Sequence, residues 1–281
     1  MTSTTPAQTG YAPVNGLNLY YEIYGGGAGK PLVALHGGLG MTSMYAALLP
    51  GLSQTRQVIA VELQGHGHTA DVDRPFSFET MGDDIAALIK NLGFDSADLV
   101  GCSLGGGVAF QTAIRHPEVI NKLIIISAPC KRDGWYPEVL TGMAAMTSEF
   151  APMMVGSPPH AEYVSAAPRP DDWPVMVGKT GDLLRKDYDW SADVAKITAP
   201  SMLIFGDADA VRLDHIVEMY RLLGGRPAIL SSDGTMEEMP RSQLAVLPGT
   251  AHYDIFSKAD LLLPIIPRFL DAPVSGSAGR S

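Results

Sequence analysis

The sequence lacks the features of a membrane-spanning, disulfide-rich or nucleic-acid-binding protein. No apolar run approaches the roughly 18 residues that a membrane-spanning helix needs. Cys102 and Cys130 are the two cysteines, and because both follow apolar runs we expect buried free thiols in a reducing compartment rather than a disulfide. The formal net charge is −10, which disfavours nucleic acid and anionic membrane surfaces as partners.

Signals for targeting and for cofactors are also scarce. The first ten residues contain neither the basic nor the apolar segment of a signal peptide, and with the cysteine usage this predicts a cytoplasmic protein. The glycine-rich stretches lack the G-x-x-x-x-G-K-[ST] and G-x-G-x-x-G patterns, so no nucleotide cofactor is expected. His66 and His68 lack further ligands at metal-binding spacing, so no metal is expected.

The length and composition are those of a globular protein. The 281 residues are 46% hydrophobic, and a chain of this size buries roughly three quarters of its unfolded surface. Residues 1–10 and 272–281 are polar or rich in small residues and are predicted to be flexible tails. The stretch 11–271 is predicted to form a single domain, and its oligomeric state is left open.

Short apolar runs alternate with segments of helical periodicity along this stretch. Helices are predicted at 78–91, 213–223 and 260–270, and residues 226–243 are predicted to be a long loop. The alternation predicts an α/β fold, with a mainly parallel, twisted sheet and helices on both faces. The predicted strands are 17–24, 31–36, 58–61, 97–100, 123–126, 202–205 and 244–247.

Residues 130–197 interrupt the alternation and contain no convincing strand. We expect them to form a helical cap over the carboxyl edge of the sheet, where ligands bind in α/β folds, so that the core consists of 11–129 and 198–271. Tryptophan and methionine are more often core residues than pocket residues, but a cap buries one face and lines a pocket with the other. The candidate pocket residues are Trp135, Met143, Met146, Met153 and Trp173.

The pentapeptide Gly101-Cys102-Ser103-Leu104-Gly105 lies between a predicted strand and a predicted helix. A G-x-S-x-G sequence in that context forms a sharp corner that exposes the serine Oγ at the carboxyl end of the sheet. Glycines flank the serine because backbone packs on backbone at the corner. A simple tight turn is the alternative, so the remaining partners of a nucleophile have to be sought elsewhere in the chain.

A serine nucleophile needs a general base and a carboxylate that orients the base. The strand at 202–205 is followed by Asp207 and Asp209, and the strand at 244–247 by His252. Carboxyl ends of parallel strands meet at one edge of a sheet, and the order serine, acid, histidine is one of the known arrangements. The residues alone leave Asp207 and Asp209 as alternatives for the acid.

Four motifs follow one another along the chain: Leu35-His36-Gly37-Gly38, the pentapeptide, Gly206-Asp207-Ala208-Asp209 and Pro248-Gly249-Thr250-Ala251-His252. In this order they resemble the α/β-hydrolase superfamily, and the resemblance covers about 11–271. It implies a triad of Ser103, Asp209 and His252, with the acid three residues after a glycine and Asp207 in a turn. It also implies an oxyanion hole formed by the backbone N–H groups of Gly38 and Leu104.

The segment Glu62-Leu63-Gln64-Gly65-His66-Gly67 also resembles a turn of the superfamily. An arginine commonly stands there at the position of Gln64, so we expect this chain to lack one structural ion pair. His36 is expected to brace the oxyanion loop through hydrogen bonds rather than to react.

The resemblance implies a serine hydrolase that cleaves a carboxylic ester through an acyl-enzyme, without a cofactor. A small to medium, partly apolar substrate fits the expected cap, although Lys131, Arg132 or Arg185 could place a positive charge in the pocket. Alternatives with the same triad are lactone, amide or carbon–carbon bond hydrolysis and cofactor-free perhydrolysis. A ligand receptor on a hydrolase scaffold is an alternative of another class. Epoxide hydrolases and dehalogenases are disfavoured because they resemble this chain except for an aspartate at the nucleophile position.

Overall fold

The computed structural model describes residues 5–27, 29–232, 234 and 236–273, without the side chains of 236–238. Predictions for residues 1–4 and 274–281 lie outside the described residues. The strands are β1 Gln8–Val14, β2 Leu17–Tyr24, β3 Leu32–Leu35, β4 Val58–Val61, β5 Ala97–Cys102, β6 Ile120–Ile126, β7 Ser201–Ala208, β8 Ile229–Leu230, β9 Met236–Glu238 and β10 Ser242–Ala251. The helices are α1 Leu49–Leu52, α2 Phe78–Asn91, α3 Leu104–Arg115, α4 Pro137–Ala144, α5 Pro158–Ala166, α6 Trp173–Arg185, α7 Ser191–Val194, α8 Leu213–Leu222, α9 Ala259–Leu262 and α10 Ile266–Asp271.

Eight strands form one sheet in the order β1-β2-β4-β3-β5-β6-β7-β10. The pairs β1–β2 and β2–β4 are antiparallel, and every other neighbouring pair is parallel. All four residues of β3 and of β4 are buried, as expected for strands that are covered on both faces. The predicted α/β fold with a mainly parallel sheet is therefore confirmed.

The first strand corrects the predicted tail at residues 1–10. Gln8, Thr9 and Gly10 belong to β1 and pair with residues 21–23 of β2. This half of the strand is mostly exposed and contains a glycine, so it lacks the apolar alternation that identifies a strand. The pairing follows from the Asn15-Gly16 turn, where both residues have positive φ, as a two-residue hairpin requires.

Two further stretches differ from their predictions. Residues 226–243 are not a continuous loop, because β8 and β9 pair with each other and β10 begins at Ser242. The helix predicted at 260–270 is two short helices, α9 and α10, separated at Leu263–Ile265. Pro264 lies in the break and Pro267 in the first turn of α10, where a missing backbone N–H costs nothing.

Helices α4 to α7 belong to residues 130–197, which we call the helical insertion. It connects the carboxyl end of β6 to β7, and α6 packs against α4 and α5. Among the described residues, no helix combines the length and apolar character that crossing a bilayer demands. The insertion starts where β6 ends, and its Trp135 packs against His252, which directly follows β10, so this part of it lies at the edge where β6 and β10 end.

Candidate active site

Ser103 lies at a strained corner between β5 and α3. Its backbone has φ 51° and ψ −116°, a combination that side chains rarely adopt. A Cβ on Gly101 would lie 2.1 Å from the carbonyl oxygen of Gly105, and a Cβ on Gly105 would lie 2.4 Å from that of His36. The corner therefore needs both glycines, as the motif predicted.

The structure brings Ser103, His252 and Asp209 into one hydrogen-bonded chain. His252 Nε2 lies 3.1 Å from Ser103 Oγ, and His252 Nδ1 lies 3.0 Å from Asp209 Oδ1. The three residues follow or end β5, β10 and β7 at the same edge of the sheet. These contacts place an imidazole between a hydroxyl and a carboxylate, the arrangement in which the hydroxyl can transfer its proton.

The Asp209 side chain is fully buried, and groups other than His252 also bind it. Its Oδ2 accepts hydrogen bonds from Ser127 Oγ at 2.5 Å and from the Gly206 N–H at 3.1 Å. Burial acts to raise the pKa of Asp209, but hydrogen bonds from His252, Ser127 and Gly206 and the attraction of His252 outweigh it. The pKa of Asp209 is therefore below its ordinary value, and the carboxylate is ionised at neutral pH.

Asp207 has a different environment. Its carboxylate accepts the N–H groups of Gly249 at 3.0 Å and Thr250 at 3.1 Å. These hydrogen bonds tie the end of β7 to the turn in β10 and lower the pKa of Asp207. Of the two alternatives that the sequence left, Asp209 is the one in contact with His252.

The loop after β3 leaves one backbone N–H unused beside the serine. The Gly37 N–H donates to Met44 Sδ at 3.3 Å, and the Leu39 N–H donates to His66 Nε2 at 3.3 Å. Within the described part of the chain, neither Gly38 nor Leu104 donates its N–H to another protein group. These are the two donors that the resemblance implies for the oxyanion hole.

Two buried histidines hold this loop. His36 Nε2 accepts the N–H of Leu63 at 3.0 Å while Nδ1 contacts the Gly37 carbonyl at 2.7 Å. Burial, together with His66, lowers the pKa of His36 to about 3, and burial also lowers the pKa of His66. Because His66 Nδ1 contacts the Gln64 carbonyl at 2.9 Å, the ring nitrogens of both residues are used in bracing.

The candidate pocket residues are not all at the triad. Trp135 is buried, and its ring packs edge-on against the His252 ring with centroids 5.5 Å apart. Trp173 is buried inside the helical insertion, where its Nε1 donates to the Ala151 carbonyl at 3.1 Å. Met153 is 79% exposed, so its prediction as a lining residue is wrong.

The physical reason is that the helices here are short, because α4 ends at Ala144, before Met146 and Met153. Met143 is half-buried in α4, whereas Met146 lies beyond its end and offers its carbonyl to Arg185. Thr147 caps the next turn through its Oγ1, and the following short helix at residues 151–154 directs Met153 to solvent. A continuous methionine stripe therefore never forms.

Three residues at the site were not identified from the sequence. Ser127 contacts Asp209 and directly follows β6, so its place at a strand end was an available signal. Met44 accepts the Gly37 N–H, and a Cβ on Gly38 would lie 3.5 Å from the methyl of Thr180 in α6. Neither of these contacts has a pattern in the sequence.

Comparison with known proteins identifies the family of the chain. Residues 30–259 match the family described as alpha/beta hydrolase fold. The chain is 28% identical over 274 residues to the pimeloyl-[acyl-carrier protein] methyl ester esterase of Neisseria meningitidis serogroup A, covering 90% of this chain and 80% of that protein. It is 34% identical over 111 residues to the 2-hydroxymuconate semialdehyde hydrolase of Pseudomonas sp. (strain CF600), covering 38% of this chain and 39% of that relative.

Among solved structures, the enol-lactonase from Burkholderia xenovorans LB400 superposes with a TM-score of 0.70 at 21% identity, covering 93% of this chain and all of that one. This likeness concerns the fold, which is the one that the sheet order and the corner at Ser103 already indicate. The match over residues 30–259 spans most of the chain. The chain belongs to the alpha/beta hydrolase fold family.

Proposed function

We propose that this hydrolase cleaves the carboxylic ester bond of a small to medium, partly apolar substrate through an acyl-enzyme. The observation that carries the proposal is the contact chain from Ser103 Oγ through His252 to Asp209, with steps of 3.1 Å and 3.0 Å. Nucleophile, base and orienting acid are the groups that acyl transfer needs. The similarity to a methyl ester esterase over 90% of the chain supports an ester as the substrate.

In the first half-reaction, Ser103 Oγ attacks the acyl carbon while His252 Nε2 takes the hydroxyl proton. Asp209 holds Nδ1–H and stabilises the imidazolium. The negative charge on the former carbonyl oxygen is stabilised by the N–H groups of Gly38 and Leu104. The ester C–O bond then breaks, and His252 gives its proton to the leaving oxygen, so that the alcohol departs.

In the second half-reaction, water attacks the acyl group on Ser103. His252 removes a proton from the water, the bond to Ser103 Oγ breaks, and His252 returns the proton to that oxygen. The products are a carboxylic acid and an alcohol, and the triad regains its starting protonation. No step requires a cofactor.

We propose that the helical insertion is the cap that shapes the substrate pocket. Trp135 lies against the base, and the Thr180 methyl lies beside Gly38. Both contacts are apolar and come from the insertion, one at the base and one at the loop after β3. A substrate with an apolar group on at least one side of its ester fits this environment.

The cations considered for the pocket are already paired. Lys131 Nζ lies 3.0 Å from a carboxylate oxygen of Glu218. Arg185 Nη1 donates to the Met146 carbonyl at 2.6 Å, and Nη2 pairs with an acid in the same helix. Arg132 donates to the carbonyl of Leu184 and pairs with Asp187. This pairing favours a neutral substrate over an anionic one.

Hydrolysis of a carbon–carbon bond is a second candidate. The observation that favours it is the 34% identity over 111 residues to the 2-hydroxymuconate semialdehyde hydrolase. The same triad also suits a lactone or amide and the formation of a peracid. A substrate panel separates these reactions, because each uses a different electrophile at the same serine.

The test is a panel of p-nitrophenyl esters with acyl chains of graded length, extended by lactones and ring-cleavage products. We expect turnover of the esters by the wild type and none by Ser103→Ala. We also expect a fluorophosphonate to label the wild type at Ser103. A wild type that is inert on the whole panel and unlabelled would refute the proposal and favour a ligand-binding function.

A matched pair of variants tests the acid. Asp209→Asn removes the charge that fixes the His252 tautomer, and we expect kcat to fall by about 10⁴. Asp207→Asn changes a carboxylate in the same turn that contacts only backbone N–H groups, and we expect kcat within about three-fold of the wild type. The reverse result would assign the acid to Asp207.

A further inference from the structure

Lys179 in α6 is a largely buried ammonium group whose partners all lie in one loop of the core. Its Nζ lies 2.6 Å from Asp71 Oδ2, 2.9 Å from the Val72 carbonyl and 2.8 Å from the Arg74 carbonyl. The side chain is 22% exposed, and an ammonium group has three hydrogens to donate. The three contacts therefore satisfy the hydrogen-bond donors of Lys179 completely. They attach α6 to residues 62–76, which we call the core loop.

This attachment brings to Asp71 a positive charge that Gln64 does not supply. Gln64 Nε2 donates to Asp71 Oδ1 at 2.8 Å without supplying a charge. Within the described residues, Lys179 is the cation that pairs with the Asp71 carboxylate. The charge that compensates Asp71 thus comes from the helical insertion and not from the core loop itself.

The same core loop, residues 62–76, braces the oxyanion loop. The Leu63 N–H donates to His36 Nε2, and His66 Nε2 accepts the Leu39 N–H. These contacts fix the residues on both sides of Gly38. A displacement of the core loop would therefore move the proposed oxyanion donor.

The residue after Lys179 contacts the oxyanion loop directly. Thr180 is fully buried, and its methyl would lie 3.5 Å from a Cβ on Gly38. Two consecutive residues of α6 thus hold Gly38 from two directions, one through the core loop and one by packing. Gly38 keeps its N–H free while its neighbours are held.

We propose that Lys179 is a positioning residue, which seats the helical insertion on the core loop and thereby sets the Gly38 N–H for the oxyanion. The inference rests on the proposed function, because the oxyanion is that of the proposed ester hydrolysis. The requirement is for a cation at this place, since Lys179 alone pairs with Asp71 in the part of the chain that the structure describes.

The kinetic test compares Lys179→Met with Lys179→Arg and with Lys196→Met. Lys196 belongs to the same insertion and forms an exposed pair with Asp193, so its substitution removes a charge away from the loop. We expect Lys179→Met to lower kcat by about 10- to 100-fold with KM within about three-fold, because a shifted oxyanion donor acts on the transition state. We expect Lys179→Arg to restore most of kcat and Lys196→Met to leave it unchanged.

Hydrogen exchange supplies a readout that does not depend on turnover. We expect Lys179→Met, but not Lys196→Met, to speed amide exchange in residues 37–40 and 62–76 while the exchange of β5 and β6 stays protected. Wild-type kcat in Lys179→Met, or unchanged exchange in both loops, would overturn the proposal. A wild type inert on every ester would instead refute the proposed function, and the exchange result would still decide whether Lys179 positions the loop.

Discussion

Removing the Ser127 hydroxyl tests how Asp209, the acid of the proposed triad, is held. Ser127 Oγ donates to Asp209 Oδ2 at 2.5 Å, and the Asp209 side chain is fully buried. A hydrogen bond to a charged group contributes about 1.5–3 kcal/mol. Because the Gly206 N–H still donates to the same oxygen, we take the loss of free energy as about 1.5 kcal/mol. This loss corresponds to about ten-fold in rate.

We therefore expect Ser127→Ala to lower kcat/KM about ten-fold at pH 8. The lost donor also raises the pKa of Asp209, since hydrogen bonds to the ionised form keep it low. Asp209 should then become protonated at a higher pH than in the wild type, so that the deficit grows only as the pH falls into the ordinary range of a carboxyl group.

The assay is the initial rate of p-nitrophenyl ester hydrolysis from about pH 3.5 to pH 9, so that it includes the range in which a carboxyl group titrates. Ser127 has φ 52°, a conformation that glycine adopts without strain. Ser127→Gly therefore removes the same hydroxyl and separates its loss from the backbone strain that alanine would keep. Ser201→Ala is the control, because Ser201 is also buried but donates to the Ala199 carbonyl at the other end of the sheet. A wild-type profile in both Ser127 variants would refute the reasoning.

Three further predictions concern stability. Gly105→Ala should cost about 3 kcal/mol or more in urea unfolding, because its Cβ meets backbone at 2.4 Å, whereas Gly142→Ala in α4 meets nothing within 4 Å and should be neutral or stabilising. Lys122→Met should cost about 2–4 kcal/mol in the same assay, since its Nζ satisfies three carbonyls near the end of α10. A hydrogen bond to Glu62 raises the pKa of His68, so the pair stabilises the fold fully below about pH 6.5 and less as the pH rises through the raised pKa. His68→Gln should therefore lower Tm at pH 5.5 more than at pH 8.5; equal losses would refute it.

The parallel strands were predictable because their signal is local. The residues of β4 were predicted with the bounds that the structure has, and β3 within two residues. Both strands are covered by helices on two faces, so every position is apolar and the run stands out from its surroundings. β1 lacked that signal because one of its edges and much of its surface face solvent.

The candidate site was predictable as far as it follows strand ends. Ser103, Asp209 and His252 come within five residues of the ends of predicted strands, and the topology of parallel strands brings such positions together. Ser127 occupies the same kind of position after β6. It was missed because a serine after a strand has no distinct pattern, and its role depends on a partner 82 residues away.

The contacts of the helical insertion were the least predictable. Met153 was assigned to a pocket as one of the methionines of the insertion, but it lies in a short helix that leaves it 79% exposed. Lys179 was not singled out, because nothing near it in the sequence indicates that Asp71 needs a cation. Such side chains are selected by tertiary contacts, and short helices in an insertion impose little periodicity of their own.

Backbone strain in the described part of the chain is concentrated at the proposed site. Outside the Asn15 hairpin, the non-glycine residues with positive φ are Leu39, Ser103 and Ser127. They follow β3, β5 and β6, which are adjacent in the sheet. Such conformations cost roughly 1–3 kcal/mol each and persist only where surrounding contacts enforce them. Here the enforcing contacts include His66 with Leu39 and Asp209 with Ser127. The residues of the proposed nucleophile, oxyanion loop and acid are thus held by packing that forms only when the sheet edge is complete.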